Sequence, residues 1–306
     1  MKAYNLVIWI TVLIVITMTA SAINVGDGDI SDWGTNLGNL YDANKWNLEG
    51  SWVPKAGVYF VVENDNSTCQ NSYYTSPGIH IKGAGSSYTS WTEQSPTGSC
   101  QPIGGEPWDV EALYVTDDNN NQNISILAIV SIGPEGWNTT AGKLYICDIA
   151  IDPDNDGTYE YGVIIHPRPG LQQWGVYEVA SWSPDFQGHS QFCYLTPSKN
   201  DPEGVAKGDY FELIDGLNPV KDPVNPAPGK DSIPNWAVEV TFYKSFVGMQ
   251  GFSISQGSNN HGSKYYLSEA YCGNDAITNE VPEFPLLLIP AGIIVGFFYY
   301  HQRKKK

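Results

Sequence analysis

The chain has 306 residues, 42% hydrophobic and 16% charged, with 33 acidic side chains against 16 Lys and Arg. Setting aside Lys2 and the terminal Arg303, Lys304, Lys305 and Lys306 leaves eleven basic residues against 33 acidic ones. That balance excludes nucleic acid as a partner, since binding to phosphate backbones runs on positive charge, and it favours divalent cations and solubility beside an anionic envelope.

At the N-terminus, Met1-Lys2 precedes an apolar stretch from Leu6 to Met18 and then Thr19-Ala20-Ser21-Ala22. A basic start, an apolar core and a small-residue end predict a secretory signal peptide over residues 1–22, with the mature chain opening near Ile23. Disulfides persist outside the cell. The five cysteines of the exported body, Cys69, Cys100, Cys147, Cys193 and Cys272, are odd in number, so at least one stays free or pairs between molecules. Cys69 and Cys100 bracket a polar, Gly/Ser/Thr-rich stretch and are the pair expected to close. Cys147 lies in an apolar strand and reads as a buried small hydrophobe. Three sequons, at Asn66, Asn123 and Asn138, are candidate glycan acceptors in an exported chain. Asn66 and Asn138 lie in loop-like stretches, whereas Asn123 opens a strand.

Between the ends, helical periodicity is almost absent. Short β-branched and aromatic runs recur between Gly, Pro, Asn and Asp clusters, which predicts strands. They cover Val58 to Val62, Glu111 to Val115, Ile124 to Val130, Lys143 to Ile151, Tyr159 to His166, Val176 to Trp182, Tyr210 to Ile214, Ala237 to Phe242 and Phe252 to Ser255. The polar turn from Asp117 to Gln122 joins two of them as a hairpin, and the 143–151 and 159–166 runs form a second hairpin. Five prolines between Gly216 and Pro234 make residues 216–235 an extended surface connection, because Pro has no ladder donor. The expected fold is all-β: one large antiparallel, jelly-roll-like β-sandwich over residues 23–278, with an insertion at 64–106.

The strongest local site is Asp152-Pro153-Asp154-Asn155-Asp156-Gly157. Carboxylates at alternate positions converge if the chain curls, and calcium takes six to eight oxygen ligands from such loops. Thr158, through its carbonyl, and Glu160 could complete the shell. The alternative is an ion-free Asp/Asn/Gly turn, against which stands the repulsion of three like charges. Asp27, Asp29 and Asp32 form a second acidic cluster, read equally as a solvated turn. Asp109 and Glu111 alternate about Val110 and are expected to line a solvated sheet face. Nine tryptophans fall in the body, most of them expected in the core. Trp91, Trp108 and Trp137, in loop-like contexts, are the candidates for stacking on a sugar, with Glu106 and Asp109 beside Trp108 as hydroxyl partners. No nucleophile elbow, His-Glu-x-x-His or phosphate loop occurs, which argues against an enzyme. A carboxylate pair for glycoside cleavage stays open as an alternative, as does a structural or adhesive subunit that meets other protein chains.

The tail reads Val281-Pro282-Glu283-Phe284-Pro285, then an apolar run from Leu286 to Tyr300, then His301-Gln302-Arg303-Lys304-Lys305-Lys306. A greasy segment with a basic stub predicts a membrane stop over 285–300 with the stub inside and the body outside. The run is shorter than the ~20 residues that span a bilayer without strain. This tail resembles the PEF-CTERM sorting signal of archaeal surface proteins, named for the triplet Pro282, Glu283 and Phe284. The resemblance implies an archaeosortase-type processing enzyme as partner, with residues 279–306 as the sorting region. In the body, the blocks Val25 to Trp33, Tyr59 to Glu63, Asp109 to Val115, Gly157 to Gly162 and Cys272 to Asp275 resemble exported prokaryotic proteins whose domain is similar to the family 9 carbohydrate-binding module and DOMON sandwiches. That likeness implies a glycan or envelope polymer as ligand and a calcium site near the first strand.

Overall fold

The computed structural model describes residues 23–35, 37, 49–64, 79–90, 110–118, 122–130, 132–139, 142–184, 192–213, 235–249, 263–268 and 276–281. Sixteen strands occur there: β1 Val58–Asn64, β2 Ile79–Ala84, β3 Ser87–Ser90, β4 Val110–Asp118, β5 Asn123–Val130, β6 Trp137–Thr139, β7 Gly142–Leu144 and β8 Ile149–Asp152 in the first half. The second half adds β9 Tyr161–Val163, β10 Gly175–Ser183, β11 Tyr194–Pro197, β12 Gly204–Val205, β13 Lys207–Glu212, β14 Trp236–Tyr243, β15 Ser263–Ser268 and β16 Ala276–Val281. Helix is confined, among the described residues, to one turn at Glu49–Trp52 and two 3-10 turns at Ser31–Trp33 and Lys244–Val247. No described helix is long and apolar enough to cross a membrane, and the apolar run from Leu286 lies outside the described residues.

The strands form two large antiparallel sheets. The first runs β13-β14-β5-β4-β1-β2-β3; the second runs β11-β10-β9-β8-β15-β16, with β12 on β10, and β6 and β7 make a separate ribbon. Val115, Ile126 and Val240 of the first sheet pack with Ile149, Val163 and Tyr265 of the second in one core. The opposite face of the first sheet is apolar too. Phe60, Tyr114, Leu127 and Ile129 point there and are covered by Trp33 and Trp52 of the N-terminal segment. The central strands β4 and β5 therefore read as nearly unbroken buried runs instead of alternating ones, as strands buried on both faces do.

This double burial changes several expectations. Residues 79–90, inside the stretch read as an insertion, supply β2 and β3 of the first sheet. Glu111 does not line a solvated face. The register shifts between Val110 and Ala112, which leaves Glu111 as an extra bulge residue only 2% exposed. The run from Lys143 to Ile151 breaks in two, because Gly142–Leu144 pairs with β6 while Ile149–Asp152 joins the second sheet. Its partner is Tyr161–Val163, so the expected hairpin is present with a shorter second strand.

The break coincides with a correction at Cys147. It is buried, but as half of a disulfide to Cys193, with an S–S distance of 2.07 Å. Next to it Asp148, 1% exposed, accepts backbone N–H groups from Leu195 at 3.0 Å and Ile165 at 3.4 Å and pairs with Arg168. Burial raises the Asp148 carboxyl to about 6, against the pull of Arg168. Together these bonds draw the β10–β11 hairpin over the outer face of the second sheet. Trp182 and Leu195 press there on Gly162, where a Cβ would come within 2.8 and 2.6 Å of them.

A comparable latch holds the N-terminal segment. Glu239 on β14 is fully buried and accepts the Trp33 indole N–H at 2.6 Å. Burial raises its carboxyl to about 7; the Trp33 and Gly26 N–H groups pull it down, and Asp32 and Asp27 push it up. Folding therefore favours the protonated form. That stability is fully present below the ordinary value near 4.5 and is lost as pH rises toward 7. Glu239→Gln mimics the protonated state, so its melting temperature should match the parent's near pH 4.5. At pH 8 it should exceed the parent's by an amount equivalent to on the order of 3 kcal/mol. Thermal melts of both proteins at the two pH values check this.

Candidate metal centre

The β8–β9 connection carries the acidic turn. Asp152 ends β8 with its side chain fully buried, and its two carboxylate oxygens accept the backbone N–H groups of Asp156 at 3.2 Å and Gly157 at 2.9 Å. The chain thus wraps around its own first carboxylate. Two residues in left-handed conformations make the wrap, Asn155 at φ +54° and Gly157 at φ +95°. Nothing lies within 4 Å of a Cβ at position 157, so glycine serves the backbone angle there, not a tight fit. Asp156 in turn accepts the Thr158 N–H at 2.8 Å.

The wrap brings one carboxylate oxygen from each of Asp152, Asp154 and Asp156 to within 4.8 Å of one another, with Asp154 and Asp156 exposed. Among the described residues this is the one such group of three. Burial raises the Asp154 carboxyl, and the charges of Asp156 and Asp152 raise it further. Glu160 follows the turn. Burial and the same three aspartates push it up to about 7, and its Oε2 is buried with no hydrogen-bond partner. Four carboxylates thus share one neighbourhood, with Lys264 opposite Asp152 on the adjacent strand. Oxygen-only, hard donors in a tight turn are the chemistry of calcium coordination.

The turn sits on firm backing. The Glu160 carbonyl accepts the Val179 N–H at 2.7 Å, and the Tyr159 carbonyl accepts the Trp182 indole N–H at 2.8 Å. Phe192 packs against both rings, with centroids 4.7 Å from Tyr159 and 6.2 Å from Trp182.

The other candidates divide. Asp27, Asp29 and Asp32 stay near the N-terminus and bond within the local turn, except that Asp32 Oδ1 is buried with no hydrogen-bond partner. Asp27 accepts the Asn24 side chain at 2.8 Å, Asp29 accepts the Ser31 hydroxyl at 2.6 Å, and Asp32 accepts the Asn24 N–H. Asn138 is exposed on β6, opposite Lys143. Asn123 is half-buried between β4 and β14, with its Oδ1 fully covered. Trp137 opens β6, and its side chain lies outside the described residues, as do Asn66, Cys69, Trp91, Cys100, Glu106, Trp108, Asp109, Pro282, Glu283 and Phe284. Sequence reasoning passed over Asp148, Arg168 and Glu239. A signal for Glu239 existed, a lone charge within Ala237-Val238-Glu239-Val240, and the same holds for Asp148 within Ile146-Cys147-Asp148-Ile149-Ala150-Ile151; for its partner Arg168 none did.

Comparison with protein-family models, with curated proteins and with solved structures returns no match in any of the three.

If the turn holds calcium, excess chelator should lower the melting temperature, because an ion bound only by the folded state stabilises it by mass action, about 2.7 kcal/mol at 100 times Kd. The double change Asp154→Asn with Asp156→Asn should melt at the chelated temperature with or without calcium. A parent melting curve that chelator leaves unmoved would contradict the assignment.

Proposed function

We propose that this chain is an exported surface protein, held at the envelope by its C-terminal tail, whose body is a single jelly-roll-like sandwich supported by calcium at Asp152, Asp154, Asp156, Glu160 and the Thr158 carbonyl. The body acts by binding and not by catalysis, and its ligand is a glycan or envelope polymer. The observation that carries the reading is the convergence of three aspartates, with the Glu160 oxygen lacking a partner beside them. A rigidly backed turn that gathers this many carboxylates serves an ion-rich exterior better than the cell interior. The Cys147–Cys193 disulfide agrees with an oxidising location. An archaeosortase-type enzyme processing the tail at Pro282-Glu283-Phe284 completes the proposal.

One observation favours a second reading, a structural or adhesive subunit. With Cys147 bonded to Cys193, the remaining body cysteines are Cys69, Cys100 and Cys272. Three thiols cannot all pair within one chain, so at least one is left for a bond to another molecule.

A glycan array probed with the body, residues 23–280, in calcium separates the two. Binding that disappears in chelator is the expected result. No binding at millimolar glycan, together with a covalent dimer on non-reducing gels, would replace glycan recognition with the structural reading. Turnover of a polysaccharide, lost on changing a single carboxylate, would replace both with a glycosidase.

A further inference from the structure

Resting on the reading of the tail as a membrane segment and of the acidic turn as a calcium site, we infer that the end of the second sheet carrying that turn lies against the lipid surface. The bound ion bridges it there to phosphate groups of anionic phospholipid.

The inference comes from strand register. Lys264 on β15 pairs with Asp152 on one side and with Glu280 on the other. Asp152, Lys264 and Glu280 therefore form one row across β8, β15 and β16, and Val281 is the next and last residue of β16. Neighbouring strands lie about 4.8 Å apart, so the chain leaves the sheet roughly 10 Å from the point where the acidic turn begins. Only Pro282, Glu283, Phe284 and Pro285 separate Val281 from the apolar run at Leu286, and an anchor transferred at the Pro282-Glu283-Phe284 triplet would attach nearer still. Fully extended, that link reaches no more than about 17 Å. The opposite end of the same sheet holds the connection from Ile164 to Trp174 and the Ser268–Ala276 pair. It is a full strand length further from the exit, so it reaches the bilayer only if β16 unpairs.

A tether this short fixes which end faces the lipid, and that end is acidic. Bare, Asp152, Asp154, Asp156 and Glu160 are repelled by anionic headgroups at this range, which is comparable to the ~8 Å screening length of physiological salt. A calcium ion held by three aspartates reverses the sign. It takes six to eight oxygens, more than the turn supplies, and phosphate oxygens fill the remaining positions. The same ion that stabilises the turn thereby seats the body on the membrane.

The test uses the full chain in phosphatidylglycerol vesicles and in maltoside micelles, which carry no phosphate. Hydrogen exchange is followed in calcium for two peptides, 152–160 and 164–173. The expected result is several-fold slower exchange of 152–160 in vesicles than in micelles, no change in 164–173, and loss of the difference in chelator or on Asp154→Asn with Asp156→Asn. Equal exchange of 152–160 in vesicles and micelles overturns the inference, as does protection of 164–173 instead or protection that chelator leaves intact. Flotation with the vesicles and a calcium-dependent melting shift in micelles are read in parallel. If both hold without protection, only the membrane contact fails. If the chain does not float, or calcium leaves the melt unmoved, the reading beneath it fails as well.

Discussion

The central strands of the first sheet are apolar on both faces, and that constraint organises the rest of the molecule. Leu113 and Val115 point to one side of β4 and Ala112 and Tyr114 to the other, all fully buried. A single sheet-on-sheet contact covers one face only. The second sheet supplies that contact, and the N-terminal segment supplies the other through Trp33 and Trp52, each fully buried. Fully burying one large apolar side chain is worth roughly 1.5–3 kcal/mol, so the two indoles outweigh the cost of placing Glu239 beneath them. Glu239 is the polar exception that gives the cover a register, since it takes the Trp33 indole N–H and no aliphatic side chain could.

The second sheet repeats the device with different chemistry. Its outer face is capped by the β10–β11 hairpin, whose Leu195 and Trp182 need the missing side chain of Gly162. The hairpin is pinned by the Cys147–Cys193 bond and by Asp148, which accepts the N–H of Leu195 within it and that of Ile165 ahead of it. The consequence for function is rigidity at the β8–β9 turn. Its first carboxylate is tied to its own backbone, its last residues are bonded to β10, and its aspartates are held together instead of splaying into solvent. Mutual repulsion at that spacing is tolerable only because the backbone enforces it, and a divalent cation relieves it.

Much of this was legible in the sequence, and the boundary has a physical reason. Local signals survived: Val58 to Val62, the hairpin around Asp117 to Gln122, and the acidic turn between two strands all stand where period and turn chemistry placed them. Long-range pairings did not. Nothing near Cys147 points 46 residues onward to Cys193, and although Asp148 stands out as a lone charge in an apolar run, Arg168 looks like an ordinary surface charge until the fold brings the two together. Glu111 misled because alternation implies one wet face, and at its position β4 is buried on both faces. Asp152, Asp154 and Asp156 were readable because their spacing alone brings them together once the chain curls, whereas the burial that raises Glu160 is a property of the assembled fold.

Direct calcium titration of the chelator-stripped chain by calorimetry tests the central claim most closely. One saturable site per chain is expected, and it should vanish when Asp154 and Asp156 become Asn. Heat no greater than buffer dilution, or binding undiminished in that variant, would contradict it.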